Sequence, residues 1–223
     1  MLRFLFISFV LLSQIPSAQT KLTFNPCYGK SKLFEDSLTF SGEKIHFEIL
    51  RFYISNVQLV KKGKIVWKEK NSYHLIDASE GKSLELKLMV PPTASYDEIK
   101  FSLGIDSTTN VSGALGGDLD PTKGMYWTWQ SGYINLKLEG NSPLCQNRGQ
   151  AFEFHLGGYT GAFASLQTVS LPCATGNNVN VYVDIIQFLT SIDLKEQNQV
   201  MSPGEAAAIL SKKAVKMFST RKP

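Results

Sequence analysis

Short apolar runs that alternate with polar residues recur along this chain and restrict its fold more than any other feature. In Ser83–Val90, Leu84, Leu86 and Leu88 occupy every second position, and two prolines end the run. About nine such runs, at spacings typical of a sandwich, predict an all-β fold, an antiparallel β-sandwich of the immunoglobulin-like or jelly-roll-like kind. The predicted strands are Lys44–Phe52 continuing as Tyr53–Val60, Lys64–Lys68, Tyr73–Ile76, Ser83–Val90, Glu98–Ile105, Tyr126–Leu138, Ala151–Leu156, Thr168–Leu171 and Val179–Ile186.

The C-terminal segment has a different period. Ser202 can cap a helix, Pro203 suits the first helical position, and Glu205 places an acid in the first turn. Apolar residues then recur at helical spacing as far as Met217. We therefore predict one α-helix over residues 203–218 that packs across an open end of the sandwich.

Residues 1–18 have the form of an export signal. Met1-Leu2-Arg3 is positively charged, Phe4–Leu12 is continuously apolar, and Ser17-Ala18 supplies small residues before a cleavage point. The apolar run is too short to span a bilayer, which takes about 20 residues. We expect residues 19–223 to form one monomeric domain that is periplasmic or secreted. The formal net charge of +4 forms no basic stripe of the kind that binds nucleic acid.

The chain has three cysteines. Cys145 and Cys173 bracket the predicted strand Ala151–Leu156, and in an oxidising compartment they are candidates for a disulfide that closes this hairpin. Cys27 is then left over. It can be a free thiol, a thiolate ligand, or the true partner of either other cysteine, and spacing does not choose among these.

The stretch Gly124–Tyr133 contains two of the three tryptophans. In one extended strand, Met125, Trp127 and Trp129 would point to the same side, because side chains alternate between faces. A face with one thioether and two indoles is either an unusually aromatic core strand or the wall of a site.

Three histidines are present, and two of them lie where a predicted strand gives way to a loop. His74 and His155 occupy these junctions, where sandwiches commonly place binding residues. Each can equally be a structural histidine that only donates and accepts hydrogen bonds. His46 lies in mid-strand beside Glu48 and is interpreted as a solvated strand residue.

Several motifs occur in a fixed order along the chain: Phe52-Tyr53-Ile54-Ser55-Asn56-Val57, Tyr73-His74-Leu75-Ile76-Asp77, Leu103-Gly104-Ile105-Asp106, Gly117-Asp118-Leu119-Asp120-Pro121, Gly124–Tyr133, Phe154-His155-Leu156-Gly157-Gly158 and Met201-Ser202-Pro203-Gly204. This order resembles that of the MbnP-like copper-binding proteins, and the last motif looks like the versions found in Bacteroidetes. The Trp-x-Trp-x-x-Gly-Tyr and His-Leu-Gly motifs are the most specific, and the resemblance covers essentially all of the mature chain.

This resemblance implies an exported β-sandwich that holds one Cu(I) ion with histidines and with kynurenine, the oxidation product of a tryptophan. It implies that His74 and His155 are the imidazole ligands and that Trp127 or Trp129 is the modified residue. It also implies a partner, a MauG-like di-haem cytochrome c peroxidase, that carries out the oxidation.

The chemistry of the residues agrees with copper. Imidazole suits copper and the thioether of Met125 favours the cuprous state, whereas clustered thiolates for a structural zinc site are lacking. Asp77 or Asp106 can orient a ligand imidazole through its distal N–H.

No phosphate loop, dinucleotide fingerprint or nucleophile elbow occurs in the sequence, so we expect no enzyme activity. The alternative to a copper protein is a β-sandwich binding module for carbohydrate or a surface protein. In that case Trp127, Trp129 and Tyr133 would form an aromatic platform.

Overall fold

The computed structural model describes residues 18–36, 38–129 and 132–223. Strands β1 to β8 are Ala18–Tyr28, Ser31–Lys32, Thr39–Phe40, Glu43–Lys44, His46–Lys61, Lys64–Lys68, Tyr73–Asp77 and Glu85–Val90. Strands β9 to β16 are Glu98–Leu103, Tyr126–Trp127, Gly132–Asn141, Ala151–Gly157, Gln167–Pro172, Asn178–Asp184, Gln199–Val200 and Phe218–Ser219. Helices α1 to α3 are Ser107–Val111, Ile186–Leu189 and Glu205–Ala214. The predicted signal peptide lies outside the described residues except for Ala18, with which β1 begins.

A nine-stranded sheet and a five-stranded sheet enclose one apolar core, which confirms the predicted β-sandwich. In the smaller sheet, β1 is antiparallel to β8 and β2 but parallel to β14. Strand β1 was not predicted from the sequence, since its alternation is short and Pro26 interrupts it. Its side chains Leu22 and Phe24 are nonetheless buried in the core.

The 16-residue strand β5 organises the larger sheet. Arg51 pairs with Lys137 of β11 on one edge and with Asp77 of β7 on the other. Further along, Ile54 pairs with Leu103 of β9 and again with β7. Strands β11 and β9 therefore share one edge of β5 and diverge from each other near its middle.

The side chain of Asn135 fills the gap between these diverging strands. Its Oδ1 accepts a hydrogen bond from the Ile105 N–H at 2.9 Å, and its Nδ2 donates to Ser165 Oγ at 2.9 Å. Gly104 lies so close that a Cβ there would be 2.3 Å from Asn135 Cγ, and its φ of +112° is one that L side chains rarely adopt. The Leu-Gly-Ile motif thus fixes where β9 leaves the sheet.

The side chains on the two faces of β5 pack into two different apolar clusters. Phe52 and Ile54 point into the core between the sheets, whereas Tyr53 points to the opposite face. A second group of buried side chains, here called the outer cluster, covers that opposite face. The outer cluster consists of Tyr53, Leu75, Ile105, Leu119, Met125, Trp127, Tyr133 and Ile134.

The C-terminal helix is present but shorter than predicted. Helix α3 begins at Glu205 with Gly204 as its N-cap, so Pro203 precedes the helix and Ser202 does not cap it. A 3₁₀ turn continues it over Val215–Met217. Its apolar residues Ala207, Leu210 and Ala214 pack into the core between the sheets. In the described part of the chain, no helix is long and apolar enough to cross a membrane.

The predicted Cys145–Cys173 disulfide is not formed, and all three cysteines are free thiols. Cys145 follows β11, whose last residue pairs with His46 at the start of β5. Cys173 follows β13, which pairs through Glu98 with Val60 near the other end of β5. The two thiols therefore lie toward opposite ends of a long strand, whereas a disulfide requires Cα atoms within about 7 Å.

Candidate functional site

The tryptophan-rich stretch forms a hairpin rather than one strand. Strand β10 ends at Trp127, which pairs with Gly132, and the chain turns between them. The exposed fraction of Trp127 is 6%, and that of Trp129 is 67%. The prediction that both indoles share a strand face with Met125 is therefore wrong, because the turn breaks the alternation. The two rings still approach, with centroids 6.2 Å apart and planes inclined at 56°.

Trp127 packs against the backbone of Gly157 on β12. A Cβ at position 157 would lie 2.5 Å from Trp127 Cζ3, so only glycine leaves room for the indole here. His155 is two residues earlier on β12 and points to the same face, since side chains alternate along a strand. The Trp127 indole thus packs on β12 two positions away from His155, on the face to which His155 points.

His155 is buried, with 7% of its surface exposed, and a carboxylate holds its ring. Its Nε2 lies 2.6 Å from Glu139 Oε1, and Lys137 Nζ lies 3.1 Å from the same oxygen. Burial lowers the pKa of His155, and Lys137 lowers it further, while Glu139 opposes both. Burial would raise the pKa of Glu139, but hydrogen bonds from His155 and Lys137 outweigh it and the pKa is lowered.

The pair therefore contains a neutral imidazole and an ionised carboxylate near neutral pH. In this state Nε2–H donates to Glu139, and the lone pair of Nδ1 is left for another partner. Histidines that ligate metals characteristically donate their other ring N–H to such a carboxylate.

His74 has a similar carboxylate partner but a different place in the sheet. Its Nε2 lies 2.8 Å from Glu69 Oε2, which also accepts a hydrogen bond from the Ser72 hydroxyl at 2.6 Å. Burial would raise the pKa of Glu69, but the bonds from His74 and Ser72 outweigh it and the pKa is lowered.

The strand register separates the two predicted histidine ligands. His155 pairs with Lys137, which pairs with Arg51 of β5, whereas His74 pairs with Ile54. Paired residues share a face, and Arg51 and Ile54 are an odd number of residues apart on β5, so the histidines lie on opposite faces. They also lie on strands three positions apart in the sheet. Among the described residues, no three histidines, cysteines or acids are grouped so as to hold a metal.

The two aspartates predicted to orient the imidazoles have other roles. Asp77 accepts a 2.6 Å hydrogen bond from Arg51 Nε and caps the turn at Ser79. Asp106 is the N-cap of α1 and accepts a 2.8 Å hydrogen bond from Tyr73. The imidazoles are held instead by Glu69 and Glu139, which the sequence analysis missed. Glu139 could have been considered from the alternation of β11, which places it and Lys137 on one face.

The aromatic residues do not form the platform that a carbohydrate-binding module would use. Tyr133 is buried in the outer cluster, and its hydroxyl accepts a hydrogen bond from the Leu115 N–H at 3.0 Å. Trp127 is buried as well, so Trp129 alone of the three exposes its ring. A cavity of about 250 Å³ opens beside Trp127. It is lined by Trp127, Gly132, Gly158, Tyr159, Thr160 and Pro203.

Met125 lies in the outer cluster with Trp127 and is fully buried. Its carbonyl accepts a 2.9 Å hydrogen bond from the Ile134 N–H, which closes the hairpin above β5. Met125, Trp127 and His155 thus lie on the same outer face of the larger sheet. The other predicted site residues have partners elsewhere: His74 contacts Glu69, Asp77 contacts Arg51, and Asp106 contacts Tyr73.

Comparisons with known proteins bear on the fold and the family of the chain. MbnP from Methylosinus trichosporium has a similar structure, with a TM-score of 0.57 and 15% sequence identity over 83% of this chain and 80% of that one. At this identity the likeness shows a shared fold. No curated protein sequence matches the chain. The MbnP family profile matches residues 17–202, which include every strand of the outer face, and the chain therefore belongs to the MbnP family.

Proposed function

We propose that this protein is exported and binds one Cu(I) ion on the outer face of its larger sheet, for copper acquisition, storage or delivery. The MbnP family is associated with copper binding. The observation that carries the proposal is the buried His155, which Glu139 holds at 2.6 Å beside the strand position against which Trp127 packs.

His155 suits this metal for two reasons. Its neutral ring keeps one nitrogen lone pair, and its orienting carboxylate is in place before any metal arrives. The thioether of Met125 lies in the neighbouring outer cluster and is a soft donor of the kind that favours the cuprous state. Bound Cu(I) would act there as a soft cation for nitrogen and sulfur donors.

His74 does not fit the same ion in this fold. It faces the opposite side of the sheet and lies on β7, three strands away from the β12 strand that carries His155. The proposed ligand set therefore contains His155 and excludes His74, which differs from the pair that the sequence motifs imply.

We further propose that Trp127, rather than Trp129, is the tryptophan that becomes kynurenine. The indole N–H donates a hydrogen bond but offers no lone pair to a metal. Ring opening replaces it with an aromatic amine and a ketone, which are donors. Trp127 is packed over β12 near His155, whereas Trp129 lies in the turn and faces solvent.

The oxidation requires an external oxidant, and we propose a di-haem peroxidase acting with hydrogen peroxide. Peroxide supplies an oxygen atom to each carbon of the indole C2–C3 bond, which breaks, and water is released. Hydrolysis of the resulting formyl group then releases formate and frees the amine. The net mass gain is about 4 Da, and the product has the lone pairs that the indole lacks. In this scheme the chain is the substrate and metal carrier, not an enzyme.

The test is to produce the protein with and without a di-haem peroxidase of the MauG type and compare copper content and tryptic peptide masses. We expect stoichiometric copper only in co-produced protein, with the added mass at Trp127. Copper-loaded protein in which both tryptophans are unaltered would contradict the kynurenine proposal. Protein that is modified at Trp127 but binds no copper would contradict the proposed metal site.

A further inference from the structure

The hairpin formed by β5 and β6 carries an unusual concentration of positive charge. Residues 61–70 contain five lysines and one glutamate, a formal net charge of +4 that equals the net charge of the entire chain. Lys61 is paired with Asp97, and Glu69 is paired with His74. The remaining four lysines are exposed: Lys62, Lys64, Lys68 and Lys70.

Apolar side chains lie between these lysines. The exposed fraction of Ile65 is 58%, and that of Val66 is 43%, while Trp67 packs partly against the core and anchors the strand. The turn that precedes them is tight, with positive φ at both Lys62 and Gly63. Among the described strands, β6 pairs only with β5, so its outer edge is open. Lysines protect such an edge from pairing with another chain, but that role does not require exposed apolar neighbours.

We propose that this hairpin docks the protein on an anionic phospholipid surface. Lysine ammonium groups match the negative headgroups, and a few apolar side chains between them can enter the interfacial region while the lysine stems reach outward. Two exposed apolar side chains provide far less area than the roughly 800 Å² that each partner of a stable protein complex buries. A lipid surface needs no such area, since each lysine near it adds to the attraction independently.

The experiment is co-sedimentation of the mature protein with vesicles of phosphatidylcholine alone and of phosphatidylcholine mixed with phosphatidylglycerol. We expect binding only to the mixed vesicles. This binding should be lost in 1 M salt, because the Debye length there is only about 3 Å and the attraction between lysines and headgroups is screened. The triple variant Lys62→Gln, Lys64→Gln, Lys68→Gln should bind at least about tenfold more weakly, because each lysine contributes several-fold. The variant Ile65→Ser, Val66→Ser should also bind more weakly.

A matched control removes the same charge elsewhere. Lys87, Lys212 and Lys216 are exposed and lie outside the hairpin, and their triple glutamine variant should bind like the unaltered protein. Equal losses in both triple variants would show an effect of net charge alone and would overturn the proposal. Absence of vesicle binding, or concentration-dependent dimers that form through the β6 edge, would also overturn it. Circular dichroism of each variant verifies that the fold is kept.

Discussion

The imidazole Nε2 of His155 lies 2.6 Å from Oε1 of Glu139, on the face of the larger sheet that the outer cluster covers. The two residues are on paired strands, β12 and β11, and Lys137 shares the same carboxylate oxygen. This contact fixes the ring and directs Nδ1 away from the carboxylate. It is the feature of the site most easily tested by substitution.

His155→Ala should abolish stoichiometric Cu(I) binding, because it removes the one imidazole on the outer face near Trp127. His74→Ala should leave binding within about threefold of the unaltered protein, since its ring lies on the opposite face. Competition with a Cu(I)-specific chromophoric chelator measures both affinities. Equal losses in the two variants would show that the histidines share one ion and that the sheet must rearrange to bring them together.

Glu139→Gln tests whether the carboxylate orients the ligand. The amide keeps the size of the side chain but loses the charge, and such changes typically cost about 10- to 100-fold in metal affinity. Glu69→Gln, the matching change beside His74, is the control and should have little effect. An unchanged affinity in the Glu139 variant would remove this residue from the account of the site.

Trp127→Phe should prevent formation of kynurenine and reduce copper binding to the level of protein produced without the peroxidase. Trp129→Phe should still gain about 4 Da at position 127, because this variant keeps Trp127, the residue that we expect to be oxidised. Peptide mass spectrometry after co-production distinguishes the two. Modification at position 129 in the unaltered protein would reverse the assignment.

Gly157→Ala should displace the Trp127 indole, because the new Cβ would lie 2.5 Å from Cζ3. Overpacking of this kind costs about 1–3 kcal/mol of unfolding free energy. Urea unfolding and the tryptophan fluorescence maximum report the two effects. Gly81→Ala is the control, because a Cβ there would meet nothing within 4 Å. Equal stability of the two variants would mean that the packing of the Trp127 indole does not require glycine at position 157.

Asp77 should make the free energy of unfolding depend on pH in the acidic range. Burial would raise its pKa, but hydrogen bonds from Ser79 and Arg51 outweigh it, and the pKa is lowered from 3.8. A carboxyl group whose pKa is lowered by folding stabilises the protein above its unfolded value, and this stability is lost as pH falls through the folded value. Asp77→Asn should therefore cost about 1–3 kcal/mol at neutral pH and progressively less as the pH falls through the folded pKa of Asp77. A pH-independent cost would show that the charge of Asp77 is not responsible.

A digest of unreduced protein should contain no peptide pair linked through Cys145 and Cys173. The two thiols follow strands that end toward opposite ends of β5, so a native bridge would require the sheet to come apart. Alkylation under denaturing, non-reducing conditions followed by mass spectrometry decides this. A linked pair in folded protein would contradict the strand register.

Much of the fold could be predicted from local pattern. The alternation in β8 and the apolar run of β5 predicted strands that the structure confirms, and the helical spacing before Met217 predicted α3. The prediction of one continuous strand around Trp127 is wrong, because a turn follows Trp127 and ends the alternation. Strand β1 was missed because its alternation is brief, although its pairing with β14 and β8 places it at the centre of the smaller sheet.

The sequence by itself determined the residue types available to the site, the strands that carry His74 and His155, and the family to which the motifs point. Only the tertiary structure decided which of these residues meet. His74 and His155 occur in similar motifs, yet pairing with Ile54 in one case and with Lys137 in the other sends them to opposite faces. The carboxylates that hold them also depend on the fold, since Glu139 lies on β11 beside β12, and Glu69 follows β6 and meets His74 from outside the strand. Register is a non-local property, set by which strands pair and where they diverge, and a single chain's periodicity does not contain it.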